Sequence, residues 1–255
     1  MKKYILLPLL TVLVISSTIH AGELDQRLIV GVSVGVGSPS QNFGKSDTIG
    51  RKDTTKVKGW ATTGITFSLK AGYRLTKHIG IMAQGNANIN GFNASAYQNQ
   101  YYNIPILQGS VAINATPYYI GSYLAGPFFN FPLGSWFTLE AHVLAGLMTA
   151  KYSNLNPVIV FDGSTYNYTI SYKPADAFGY DFGAGLKFKI IDQIGITLSG
   201  DYLGGAPTFS RYTVDYTGPS VPPPGAPPAS NGSPRTSVMS TGLFNINVGA
   251  VFSFF

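Results

Sequence analysis

The sequence predicts an all-β fold: a closed antiparallel up-and-down transmembrane β-barrel of about eight strands, its lumen filled by side chains. Three observations lead there. Period-two alternation of apolar and polar residues recurs along the chain. Its connections alternate between short and long. Charged residues make up only 11%, whereas 30 glycines, 16 tyrosines and 16 phenylalanines favour strands and turns over helices.

The chain opens with Met1, Lys2 and Lys3, then an apolar run from Tyr4 to Ile15 and a small residue at Ala21. This pattern reads as an export signal over residues 1–21, cleaved near Ala21–Gly22, with a barrel domain over 22–255. The run is too short to span a bilayer, which needs about 20 apolar residues. Loss of Lys2 and Lys3 leaves 15 basic against 11 acidic residues, a net charge of +4. Those cations are scattered, so no nucleic-acid partner is expected. The chain has no cysteine, which excludes disulfides, thiolate metal sites and cysteine nucleophiles.

The strands follow in order. Leu28–Val36 alternates valines with Gly31, Ser33 and Gly35. In Gly64–Leu75, Ile65, Phe67, Leu69, Ala71, Tyr73 and Leu75 share one face, opposite Thr66, Ser68, Lys70 and Arg74. Ile79–Asn90 sets Ile79, Ile81, Ala83, Ala87 and Ile89 against Gln84, Asn86, Asn88 and Asn90. Tyr118–Phe129 is aromatic-rich, and Gly126–Pro127 leaves its facing open. Phe137–Thr149 places Phe137, Leu139, Val143 and Leu147 opposite Thr138, Glu140 and His142. Phe178–Ile190 opposes its aromatics to Asp181, Lys187 and Lys189, and Ile194–Tyr202 opposes Ile194, Ile196 and Leu198 to Thr197, Ser199 and Asp201. Met239–Phe255 closes the series with Phe244, Ile246, Val248, Phe252 and Phe254 on one face. These lengths suit the ~9–11 residues of a tilted spanning strand.

Thr76–His78, Pro132–Ser135 and Ile191–Gln193 are short turns, expected in the periplasm with both chain ends. Long connections near 38–60, 92–112, 152–175 and 207–237 are expected outside. Tyr73, Trp136, Phe137, Phe188, Phe252 and Phe254 crowd the short-turn end, and Trp60 and Tyr202 the other, as two interfacial girdles would.

The last residues carry the sharpest signal. Asn247, Gly249, Phe252 and Phe254 fit the C-terminal insertion pattern of outer-membrane proteins, with Phe255 one residue beyond it. With the leader and the strand count, the mature chain resembles the small outer-membrane barrels of the OmpX type and of the OmpA transmembrane domain. That resemblance implies the outer membrane of a Gram-negative-type bacterium and a structural or surface-contact role such as adhesion or membrane integrity. Its implied partners are outer-membrane lipids including lipopolysaccharide, the barrel-insertion machinery and an extracellular ligand gripped by the loops. A monomer is expected.

Lys70, Arg74, Glu140, His142, Asp181, Lys187, Lys189 and Asp201 should point inward. An eight-stranded lumen is just wide enough for side chains to fill, so these residues read as a paired polar network that plugs it. A small channel or a lipid-modifying enzyme is the alternative. His142 is two residues from Glu140 on one face, but no local serine motif accompanies it, and catalysis is not expected. No cofactor is expected, and no metal set: Asp47 and Asp53 are isolated among Lys45, Arg51, Lys52, Lys56 and Lys58. That basic first loop reads mainly as a solvated surface, with anionic lipopolysaccharide or host polymers as the functional alternative. The Tyr/Asn/Gln-rich run Ala96–Asn103 has the chemistry of adaptable binding surfaces, and Val221–Pro228 favours polyproline II.

Overall fold

The computed structural model describes residues 27–45, 58–102, 110–210, 212–220 and 236–254. The expected leader, most of the basic first loop, the proline-rich run and Phe255 lie outside them. In chain order the elements are β1 (Leu28–Ser40), α1 (Gln41–Gly44), β2 (Ala61–Arg74), β3 (Ile79–Phe92), α2 (Ala94–Tyr102), β4 (Ser110–Ala115), β5 (Tyr118–Pro132) and β6 (Phe137–Lys151). They continue as β7 (Leu155–Phe161), β8 (Ser164–Tyr172), β9 (Ala175–Lys189), β10 (Ile194–Gly205), β11 (Thr208–Ser210), β12 (Tyr212–Thr217), β13 (Thr236–Val238) and β14 (Thr241–Phe254).

Eight of these strands close a barrel in the order β1-β14-β10-β9-β6-β5-β3-β2, every neighbour antiparallel. Its register fixes its girth. A path crossing the strands from Val30 runs through Ala71, Ala83, Ala125, Ala145, Tyr180, Gly204 and Gly242, and returns to β1 at Ser40. That is a stagger of ten residues, from position 30 to 40. An eight-stranded barrel so staggered tilts its strands by roughly 40° and leaves an interior that side chains can fill.

The alternation sorts as the sequence reading requires. Val34, Phe67, Ile81, Val143, Phe182, Leu198 and Ile246 are exposed on the outer wall, where lipid covers them. Between them, Thr66, Gln84, Asn86, Glu140, His142, Asp181, Asp201 and Asn247 are buried inside. The structure also decides the facing of β5: Tyr119, Tyr123 and Pro127 look outward, and Tyr118, Ile120, Leu124 and Phe128 inward. Phe128 occupies the space left by Gly80, where a Cβ would lie 2.3 Å from its ring. Trp60 departs from expectation. It is 3% exposed and packs edge-on against Tyr97 at 5.5 Å, a plug of the barrel mouth rather than part of a lipid-facing girdle.

The long connections hold more structure than their composition suggested. β12, β8, β7 and β4 form a second, four-stranded sheet. Three of its strands extend barrel strands past short breaks: β4 leads into β5 through Thr116–Pro117, β6 into β7 through Tyr152–Asn154, and β8 into β9 through Lys173–Pro174. Pro117 has no N–H, so Thr116 holds the break together. Its N–H donates to the Asn154 carbonyl (3.0 Å), its hydroxyl accepts from the Asn154 N–H (2.9 Å), and its carbonyl accepts from the Ser153 hydroxyl (2.5 Å). β7 and β8 are joined at Asp162–Gly163, with φ of 48° and 71°. Two successive positive φ values make the tight hairpin turn whose twist matches its strands.

Candidate functional site

Three zones lie one above another along the barrel axis. The first is the polar belt of the lumen. Lys70 of β2 forms an ion pair with Glu140 of β6. The register sets His142 opposite Gly183, and its Nε2 lies 3.0 Å from Asp181 Oδ1 and 3.5 Å from Asp201 Oδ1. Asp201 Oδ2 accepts from Asn247 Nδ2 (2.8 Å) and from the Ser199 hydroxyl (2.9 Å). Lys187 Nζ donates to the Ser253 hydroxyl at 2.8 Å. A neutral chain completes the belt: Gln84 Nε2 and the Ser68 hydroxyl donate to Asn86 Oδ1 (3.0 and 2.6 Å), and Asn86 Nδ2 donates to Ser122 Oγ (3.1 Å).

Six of the eight charged residues read as inward from the sequence therefore meet in the belt. Arg74 is half-buried at the end of β2. Lys189 lies outside it: at the last position of β9 it is 48% exposed, and it pairs with Asp192 in the adjoining turn at 2.5 Å. Its inward parity is correct, but the strand ends there and the side chain reaches water. Of the C-terminal set, Phe252 and Phe254 face outward beside Ile194 and Leu28. Asn247 plays a part the sequence did not reveal, because its amide is a lumen contact of Asp201.

The second zone closes the outer mouth. Phe43 of α1, Tyr118, Phe209 and Tyr152 are between 0% and 3% exposed. Their rings meet edge to face: Phe43–Tyr118 and Tyr118–Tyr152 at 5.0 Å, and Tyr152–Phe209 at 5.3 Å. The Tyr118 hydroxyl donates to the Gly59 carbonyl, and the Tyr152 hydroxyl to the Lys58 carbonyl at 3.2 Å. Below them Leu144, Met148, Leu203 and Leu243 are fully buried. Burial raises the Tyr152 phenol well above the usual tyrosine range. This zone is an aromatic stopper of buried side chains.

The third zone is the outer sheet. Val111, Ile113, Leu155, Ile159, Tyr166, Tyr168 and Ile170 form an apolar core of its own. α2 starts at Asn93, whose side chain accepts from the Ala96 N–H at 3.0 Å. Tyr97 of the Tyr/Asn/Gln-rich run packs on Phe92 and Trp60, so that tyrosine serves packing.

A family model for the outer membrane protein beta-barrel domain matches residues 8–252. The chain belongs to this family. It is an integral β-barrel protein of the Gram-negative outer membrane, in keeping with its closed eight-stranded barrel. Among solved structures the chain is similar to Neisserial surface protein A (TM-score 0.45, 10% identity, covering 89% of this chain and 97% of that one). It is also similar to Ail, the attachment invasion locus protein of Yersinia pestis (0.40, 14%, 90% and 100%), and to OprG of Pseudomonas aeruginosa (0.43, 11%, 91% and 98%). No curated protein matches it in sequence.

Proposed function

We propose that this outer-membrane barrel is a non-catalytic, non-conducting monomer that carries a rigid β-platform above the membrane for contact with an extracellular ligand. One observation carries the reading: β4, β7 and β8 continue barrel strands outward into a sheet with its own apolar core. A loop that merely closes a barrel needs no such core. The aromatic stopper beneath it supports a passive barrel, because a packed apolar plug opposes the passage of water and ions. The leader over 1–21 would direct export, the C-terminal residues would engage the insertion machinery, and lipopolysaccharide would surround the outer rim.

The test is to replace residues 155–172 by a two-residue turn and express both forms on a Gram-negative host. The shortened barrel should still run differently boiled and unboiled on a detergent gel, while cell attachment to immobilised matrix proteins and anionic polysaccharides is lost. Equal attachment by both forms would sink the platform reading. Discrete conductance steps from the native protein in a planar bilayer would sink the non-conducting part and favour a channel.

A further inference from the structure

His142, Asp181 and Asp201 stand on β6, β9 and β10, adjacent strands of the barrel, and all three are buried in its lumen. One ligand-capable atom from each falls within 4.8 Å of the other two. Alone, that closeness is only an electrostatic arrangement. Two further observations point to a bound species. Asp181 Oδ2 is buried without a hydrogen-bond partner, and Asp201 Oδ1 has none beyond the 3.5 Å approach of His142 Nε2, in residues only 1% and 6% exposed. Native proteins rarely leave buried acceptors so, unless a water or an ion completes them.

The second observation is Gly183. A Cβ there would lie 2.2 Å from Asp201 Oδ1 and 2.9 Å from His142 Nε2, so the strand presents no side chain to these two donor atoms. Asp201 is also aimed. Ser199 and Asn247 both donate to its Oδ2, which turns Oδ1 toward the histidine. Outer contacts that fix a carboxylate in this way are what metal ligands use.

We propose that His142, Asp181 and Asp201 bind one divalent transition-metal ion inside the barrel. One imidazole nitrogen with two carboxylate oxygens, and no sulfur, suits Zn2+ best among the common borderline ions. The two carboxylates supply the compensating charge. The ion ties three adjacent strands together from within, adding a cross-link that their backbone ladders do not provide. Its role is structural, since the aromatic stopper shields this level of the lumen from the outer mouth.

The test uses untagged protein extracted from membranes in detergent, stripped with a chelator and then dialysed against Zn2+ alone. Elemental analysis should find about one zinc per chain, and zinc should slow thermal unfolding on the gel assay. Asp181→Asn and Asp201→Asn should each weaken zinc affinity at least about ten-fold while keeping the folded mobility. His78→Gln, in an exposed periplasmic turn, should bind as the native protein does. No zinc uptake, unchanged uptake in both aspartate variants, or loss of uptake with His78→Gln would each overturn the site. If the aspartate variants do not fold, zinc-edge X-ray absorption of the native protein decides. An imidazole among oxygen ligands is expected, and its absence overturns the proposal.

Discussion

Following β6 into β7, one polypeptide obeys two opposite rules. Below Lys151, Val143 and Leu147 are 58% and 49% exposed on the outer wall, while Glu140 and His142 are buried inside. Above Asn154, Leu155 and Ile159 are 3% and 0% exposed, and the sheet hides its apolar side chains from water. Between them lies a break of three residues, Tyr152–Asn154, held to Thr116 by hydrogen bonds. Hydrogen-bonded pairing is common to both halves. The surrounding medium differs: lipid accepts an apolar exterior and penalises unpaired backbone, whereas water drives apolar groups inward.

The contrast can be broken most severely in the lumen. Glu140→Leu leaves the partly buried Lys70 ammonium without its carboxylate, and should destabilise the barrel by about 3 kcal/mol. Adding Lys70→Met should recover most of the loss; a double variant as unstable as the single one would show that the pair is not the cause. Urea titration in detergent micelles measures both. Ile159→Ala should cost the outer sheet about 2–5 kcal/mol, because a fully buried side chain leaves a cavity. Limited proteolysis should then cut within 155–172 while the heat-dependent gel shift persists.

Val143→Arg puts a charge against lipid near the strand's middle and should cost about 2–4 kcal/mol and lower the inserted fraction. The same change at Thr169, exposed on the outer sheet, should shift stability by no more than about 0.5 kcal/mol. Equal effects at the two positions would erase the distinction between the halves. The smallest effect is alkaline. Tyr152 keeps its proton more tightly folded than unfolded, so its contribution is whole below the ordinary tyrosine pKa of about 10 and is lost progressively as pH rises from there through the raised folded pKa. Tyrosine fluorescence of the mouth should report loosening above about pH 10, and Tyr152→Phe should flatten that dependence.

The barrel was legible because its rule is local. Each of Gly64–Leu75, Ile79–Asn90 and Phe178–Ile190 declares its two faces without reference to any neighbour. The outer sheet was not read, although part of its signal was present: Asp162–Gly163 flanked by Val158, Val160, Tyr166 and Tyr168 is a hairpin pattern. Length hid it, because a spanning strand needs only about 9–11 residues and Pro117 and Pro174 punctuate the continuations. The pairing of β12 with β8 had no local signature at all. Nor did the meeting of His142, Asp181 and Asp201, which depends on the register of three strands and on a glycine between them. Lys189 shows the converse limit, since parity gives a direction but not where the strand stops.

The place of β12 also imposes a calendar on assembly. It lies in the chain between barrel strands β10 and β14, yet it pairs with β8, two barrel strands earlier. Until the chain has travelled through β9 and β10 and come back, one edge of the outer sheet has no neighbour, and closing so long a loop carries an entropic delay. Tyr216 then settles over Tyr166 and Tyr168, with ring centroids 6.2 and 5.1 Å away. The platform is thus finished by a latch that closes only once β9 and β10 have brought β12 back to β8.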